Sequence, residues 1–177
     1  GRFGSRTSGA DRTPGLATMI YLVRHASAGD RYRWDGDDVD RPLDDRGQQQ
    51  AADLAQALAG QPITQVLSSR AVRCQQTVGQ LALQLGLAVT VEPDLFEGAH
   101  AAATSLVKNL ARTPKTEHVV LCSHGDVIPE ILRDLTMDGV KLTGGRGCAK
   151  ASLWVLELDQ NQIAGAHYSP TAADLIF

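Results

Sequence analysis

No apolar run in this sequence approaches the ~20 residues that a membrane-spanning helix requires. Nor is there an excess of basic charge: 17 Lys and Arg stand against 20 Asp and Glu, a formal net charge of −3. A chain so balanced has no general attraction for nucleic acid or for an anionic lipid surface. Neither a nucleic-acid polymer nor a membrane is therefore expected as partner, and any anion site must be a local cluster. Cysteine is scarce. Cys74, Cys122 and Cys148 are odd in number, widely spaced and without metal-ligand spacing, which suits a reducing, cytoplasmic setting. No internal repeat and no long low-complexity stretch is present.

What is present is enough for one core. A chain of 177 residues, 43% hydrophobic, is expected to form a single domain. Residues 1–18, rich in Gly, Ser, Thr and Arg, lack the apolar stretch of a signal peptide. They are read as a leader ahead of a start at Met19, or as a linker from an upstream domain, with the domain itself over 19–177.

From Met19 onward, short apolar runs alternate with helical periodicities, a pattern that points to an α/β fold with a mostly parallel sheet. Strands are expected at Met19 to Val23, in "ITQVLSS", in "AVTVEP" and in "HVVLCS", the last buried on both faces. Asp44 or Asp45 is placed to cap a helix with Ala51, Leu54, Ala55 and Leu58 on its inner face, ended by Gly60. Ser68 or Ser69 is expected to cap a second helix, with Cys74, Val78, Leu81 and Leu85 inward and Gly86 as its stop. A helix of small residues is expected from about Ala99 to Leu110, ending near Pro114, and another near Ile128 to Leu135. "ASLWVLEL" and "IAGAHYS" read as a terminal hairpin around "DQNQ".

Three strand ends carry unusual chemistry. The first leads into Arg24-His25, the second into "SSRAVRCQQT" with Arg73 in the next helix's first turn, and the fourth into Ser123-His124-Gly125. In open α/β sheets ligands bind at the carboxyl ends of strands, where free helix N–H groups also favour phosphate. Two arginines and two histidines at one such edge make a cationic pocket in an acidic protein, so the target is an anion. Taken singly, each has a plainer reading: Arg24 as a partner for Asp30, Asp35 or Asp37, a histidine as a satisfied structural group, Arg73 as a helix-face residue.

These residues also carry a resemblance. "LVRHASAG", "RPLDDRGQQQA", "VLSSRAVRCQQT" and "VVLCSHGDVIPEIL" resemble, in order and spacing, the motifs of the histidine phosphatase superfamily, also called phosphoglycerate mutase-like. The similarity is strongest to its small SixA-type phosphohistidine phosphatases, because Ala26 stands where the Arg-His-Gly signature has Gly. Mutase activity is accordingly not expected. The "RHASAGDRYRWDGDDVDRPLDDRG" run is similar, too, to the phosphatase domain that follows a Nudix domain in some nucleotide-cleaning enzymes, although no Nudix box occurs here.

The resemblance implies a three-layer α/β/α fold and a metal-independent, cofactor-free phosphatase. In it His25 would accept the phosphoryl group and water would then release it. Arg24, Arg73 and His124 would bind phosphate oxygens, with Gly125 letting the backbone turn tightly beneath them. Glu97, in "PDLFEGAH", lies where the family often places its acid, shielded by Phe96; Asp126 is a weaker substitute, read instead as a helix cap. Arg31, Arg33 and Arg41 could meet further acidic groups of the substrate, or pair with the five aspartates among them. The partner would be a protein phosphohistidine, a small phosphate ester or a nucleotide.

Other classes fit less well. A catalytically weak phospho-recognition module would keep the arginines, yet the nucleophile is also present. A two-histidine metal site lacks a third ligand, and the adjacent arginines would repel a cation. "DGDDVDRPLDD" lacks the central Gly and final Glu of a calcium loop, and "GGRGCAK" lacks the Lys-Ser/Thr ending and preceding strand of a P-loop.

Overall fold

The computed structural model describes residues 18–98, 100–113 and 117–175. The leader or linker expected over 1–18 falls, except for Thr18, outside them, as do Ala99 and Pro114 at the expected limits of the third helix. The elements are β1 (Met19–Arg24), α1 (Asp45–Leu58), β2 (Ile63–Ser68), α2 (Val72–Leu85), β3 (Val89–Val91), α3 (His100–Arg112), β4 (His118–Ser123), α4 (Ile128–Met137), β5 (Lys141–Thr143), β6 (Leu153–Asp159) and β7 (Gln162–Ser169). None of the helices is long and apolar enough to cross a membrane.

The strands form one sheet in the order β3-β2-β4-β1-β6-β7-β5. β1, β2, β3 and β4 pair in parallel, as does β5 with β7, and β6 alone runs the other way, antiparallel to β1 and β7. Parallel neighbours require crossover connections, which α1, α2 and α3 supply. The alternation of side chains along β1 sets the layers. Ile20 and Leu22 pack with Val107, Ile128, Ile131 and Trp154 on one face. Tyr21 and Val23 pack with Leu54, Leu58, Val78 and Leu81 on the other. Helices thus cover both faces, and β4, between β2 and β1 inside the sheet, is buried along its whole length. The fold class is the expected one.

Several details depart from expectation. Asp44 caps α1, its carboxylate accepting from Gly47 N at 2.8 Å, but α2 begins after Ala71, with no side-chain cap. Ser69 lies two residues further back, and its hydroxyl is engaged by His124 Nε2 and Ala71 N. Val127, not Asp126, precedes α4, and Asp126 accepts from Gly98 N across the site at 3.1 Å. β5 is an additional strand, too short at three residues to show a period in sequence. The expected hairpin of β6 and β7 turns through Gln160 and Asn161, at φ 51° and 62°.

Candidate active site

β1, β2 and β4 run in one direction, so their carboxyl ends meet at one edge of the sheet, and His25 is the first residue past β1. Its backbone is held on both sides: His25 N donates to Ser123 O at 3.0 Å, and Ala151 N donates to both Arg24 O and His25 O at 3.2 Å. The ring is 6% exposed. Nδ1 bonds the carbonyl of Ala26 at 2.9 Å. A carbonyl only accepts, so Nδ1 carries the proton and the Nε2 lone pair is left free. Burial pushes the pKa of His25 down to about 3; the bond to Ala26 opposes this, and the charges of His124, Arg73 and Arg24 add to it. The imidazole is neutral at any ordinary pH.

Arg73, on the first turn of α2, is almost fully buried. Its Nη1 donates to Asp38 O at 2.8 Å, and its Nη2 lies 2.6 Å from Glu97 Oε1 and 3.2 Å from Asp38 Oδ2. Arg24 donates from Nη1 to Cys148 O at 2.7 Å. Its guanidinium lies over Gly125, where an added Cβ would come within 2.7 Å of Arg24 Cζ. Gly125 is therefore required for space. It has no positive φ, so the tight turn expected of it is not the reason for a glycine here.

His124 is buried and meets Phe96 and His25 in T-shaped contacts, at ring separations of 5.6 Å and 5.5 Å. Nε2 points back into the protein, 2.8 Å from Ser69 Oγ, while Nδ1 points forward, 3.4 Å from Glu97 Oε1 without hydrogen-bond geometry. Arg24 Nε, Arg73 Nε and His124 Nδ1 are buried yet have no hydrogen-bond partner among the described residues. Each such donor costs ~1–3 kcal/mol if left unpaired.

Arg24, His25, Arg41, Arg73, Glu97, His124 and Gly125, all singled out from the sequence, line one cavity of about 670 Å³, as does Asp126. Arg41 is held at its wall by Asp38 Oδ1 at 3.0 Å and by Ala28 O, so its guanidinium is largely occupied. Phe96 packs against His124 and carries Arg70 over its ring at 3.9 Å. Arg31 reaches the cavity; Arg33 instead pairs with Asp30 in solvent.

Two features of the site have no signal in the sequence: Lys150 in the cavity lining and the contact of Asp38 with Arg73. Lys150 arrives because β6 runs antiparallel and so begins at the edge where β1 ends. Asp38 joins Arg31, Arg41 and Arg73. Partial burial raises its carboxyl pKa, but the bond from Arg41 and the charges of Arg73, Arg41 and Arg31 outweigh that and hold it below the ordinary value.

The "RPLDDRGQQQA" stretch supports the loop after His25 from behind. Asp44 Oδ2 accepts from Ser27 Oγ at 2.7 Å and Gly29 N at 3.0 Å, and Gln50 Oε1 accepts from Ser27 N at 2.9 Å. A Cβ on Gly47 would overlap the carbonyl oxygen of Ser27. Thr77, on α2, accepts from Ala26 N at 2.9 Å.

A buried, neutral histidine ringed by arginines on this fold defines a class, and comparison with known proteins agrees. Residues 20–104 match the family model of the histidine phosphatase superfamily, branch 1. The chain belongs to that superfamily. Among curated proteins, it is 36% identical over 156 residues to an 8-oxo-(d)GTP phosphatase of Mycolicibacterium smegmatis, covering 84% of this chain but only 47% of that relative's length. Among solved structures, the protein histidine phosphatase SixA, complexed with tungstate, superposes with a TM-score of 0.68 at 19% identity, over 88% of this chain and 98% of that one. A SixA-like protein from Agrobacterium tumefaciens superposes with a TM-score of 0.60 at 25% identity, over 81% and 92%. A mycobacterial glucosyl-3-phosphoglycerate phosphatase gives 0.64 at 18% identity, over 86% and 97%. These structures share the phosphoglycerate mutase-like fold.

Proposed function

We propose that this chain is a metal-independent phosphohydrolase in which His25 carries the phosphoryl group. The observation that carries the reading is the fixed tautomer of His25: a neutral ring with its Nε2 lone pair free, at the floor of a cavity lined by Arg24, Arg73 and His124. Nε2 attacks phosphorus, and the N–P bond forms as the bond to the leaving group breaks. Glu97 delivers a proton to the departing atom. Water then attacks phosphorus, the N–P electron pair returns to Nε2, and Glu97 recovers a proton from the water.

Charge spreads over the equatorial oxygens in such a transfer, and catalysis rests on placing donors around them. The unpaired Nε–H groups of Arg24 and Arg73 and the Nδ1 edge of His124 suit that task. Tungstate, held by the SixA protein that shares this fold, is a tetrahedral oxyanion of the same geometry.

For the substrate, SixA's name supports a phosphohistidine protein. A nucleotide is favoured by the similarity to the 8-oxo-(d)GTP phosphatase and by Arg31 and Lys150 at the cavity, which suit a second phosphate. The deciding experiment measures phosphate release from p-nitrophenyl phosphate, a phosphohistidine protein and a panel of nucleoside di- and triphosphates, with His25→Ala in parallel. Release by the wild type alone supports the mechanism, and the preferred substrate assigns the class. Equal release by His25→Ala overturns it. Silence of the wild type with phosphate still bound would make the chain a phospho-recognition module.

A further inference from the structure

We propose that Ser69 is a positioning residue that fixes the proton of His124 on Nδ1, the ring edge that faces the cavity. This rests on the reading of His124 as a phosphate donor. The charged form of His124, the one that bears on His25, has two N–H groups; the neutral form, with which the proposal is concerned, has one. If that one sat on Nε2, the cavity would meet a lone pair at Nδ1, which repels a phosphate oxygen instead of binding it.

The hydrogen bonds around Ser69 decide between the two tautomers. Its Oγ has two partners, Ala71 N at 3.3 Å and His124 Nε2 at 2.8 Å. Ala71 N only donates. Ser69 Oγ could accept from both, but its own buried proton would then have no acceptor; with Nε2 as the acceptor that proton is paired, and the ring proton is left on Nδ1.

Neighbouring groups do not replace it. Ser68 Oγ donates to Ser69 O at 2.8 Å, and Ser123 Oγ donates to Leu95 O at 2.6 Å, so both are spent on backbone. Cys74 Sγ lies 3.6 Å from Nε2 and also 3.8 Å from Ser123 O, an acceptor for its S–H. Glu97 Oε1 lies 3.4 Å from Nδ1, and His25 and Phe96 both meet the ring in T-shaped contacts. Nδ1–H is thus aimed at the place where a phosphate oxygen binds beside Arg73.

The two histidines carry their proton on the same ring nitrogen for opposite purposes. In His25, Nδ1–H is turned to Ala26 O so that Nε2 is a free nucleophile. In His124, Nε2 is turned to Ser69 so that Nδ1–H is a free donor. The second of these depends on a serine that looked, in sequence, like a helix cap.

The test is a two-bond ¹H–¹⁵N correlation spectrum of the full chain labelled at histidine, with inorganic phosphate as the ligand titrated. The wild type is expected to show His124 as the Nδ1–H tautomer. Ser69→Ala is expected to lose that signature and bind phosphate about tenfold more weakly, and Ser69→Thr, which keeps the hydroxyl, to restore both. His25 should remain Nδ1–H in every variant, which checks that the site is intact where Ser69→Ala perturbs it. An Nε2–H tautomer in the wild type overturns the proposal. So does an Nδ1–H tautomer that survives Ser69→Ala, or a wild-type ring protonated on both nitrogens at neutral pH. The spectrum reads the tautomer whether or not the chain turns over phosphate, so failure here is distinct from failure of the phosphatase reading.

Discussion

At the scale of single residues, protons are held where burial and neighbouring charge dictate. His25 has its pKa lowered from 6.5 to about 3, so between those values the unfolded chain takes up a proton that the folded one refuses. Stability contributed by the neutral ring is complete above pH 6.5 and is lost as pH falls toward about 3. Urea midpoints should accordingly drop from about pH 6.5 to about pH 4.5, and His25→Asn should show a shallower drop; equal slopes would mean that His25 titrates normally. Glu97 has a different signature. A group that protonates the leaving atom matters only when that atom is a poor leaving group. Glu97→Gln should therefore slow an alkyl phosphate by ~10²-fold or more while changing p-nitrophenyl phosphate little. Similar losses on both substrates would assign Glu97 to phosphate binding through Arg73. For Arg73→Lys, whose single ammonium cannot reach Asp38, Glu97 and a phosphate together, the expected loss in kcat/KM is ~10²-fold on every substrate.

At the scale of elements, the first turn of α1 and the loop after β1 form one unit. Asp44 caps its own helix through Gly47 N and ties down Ser27 and Gly29, while Gln50 holds Ser27 N. The helix can approach this closely only because position 47 has no side chain. Gly47→Ala, usually favourable inside a helix, should here destabilise the fold by about 1–3 kcal/mol and lower activity with it, because Ser27 must move. A urea midpoint unchanged or raised by Gly47→Ala would show that the loop yields freely. The sequence made Asp44 legible as a cap, since an aspartate ahead of an amphipathic run has few other uses. It did not make legible that the same carboxylate reaches a loop seventeen residues earlier. Ser69 misled in the opposite sense: the residue type is right for a cap, but its hydroxyl is taken by His124. Asp126 failed as a cap for a similar reason, having Gly98 N within reach.

At the scale of the whole molecule, the position of the candidate site follows from strand direction. Arg24, Arg73 and His124 were legible because each follows a recognisable strand, and parallel strands bring their carboxyl ends together. Lys150 and Asp38 were not, because one depends on β6 running backwards and the other on a loop folding across Arg73. The result is a local concentration of positive charge on a chain whose net charge is −3. That charge comes from side chains, and on the proposed mechanism it does the work that a divalent metal does in many other phosphatases. Among the described residues no group of three or more His, Cys, Asp or Glu is arranged to hold an ion. Hydrolysis of p-nitrophenyl phosphate should proceed unchanged after exhaustive treatment with EDTA. The same rate should be strongly reduced by vanadate, which takes the trigonal-bipyramidal geometry of the phosphoryl transition state on a nitrogen nucleophile. Inhibition by EDTA that added magnesium or zinc reverses would remove the arginines from the central role given to them here. Vanadate inhibition that persists in His25→Ala would instead leave them in place and dismiss His25.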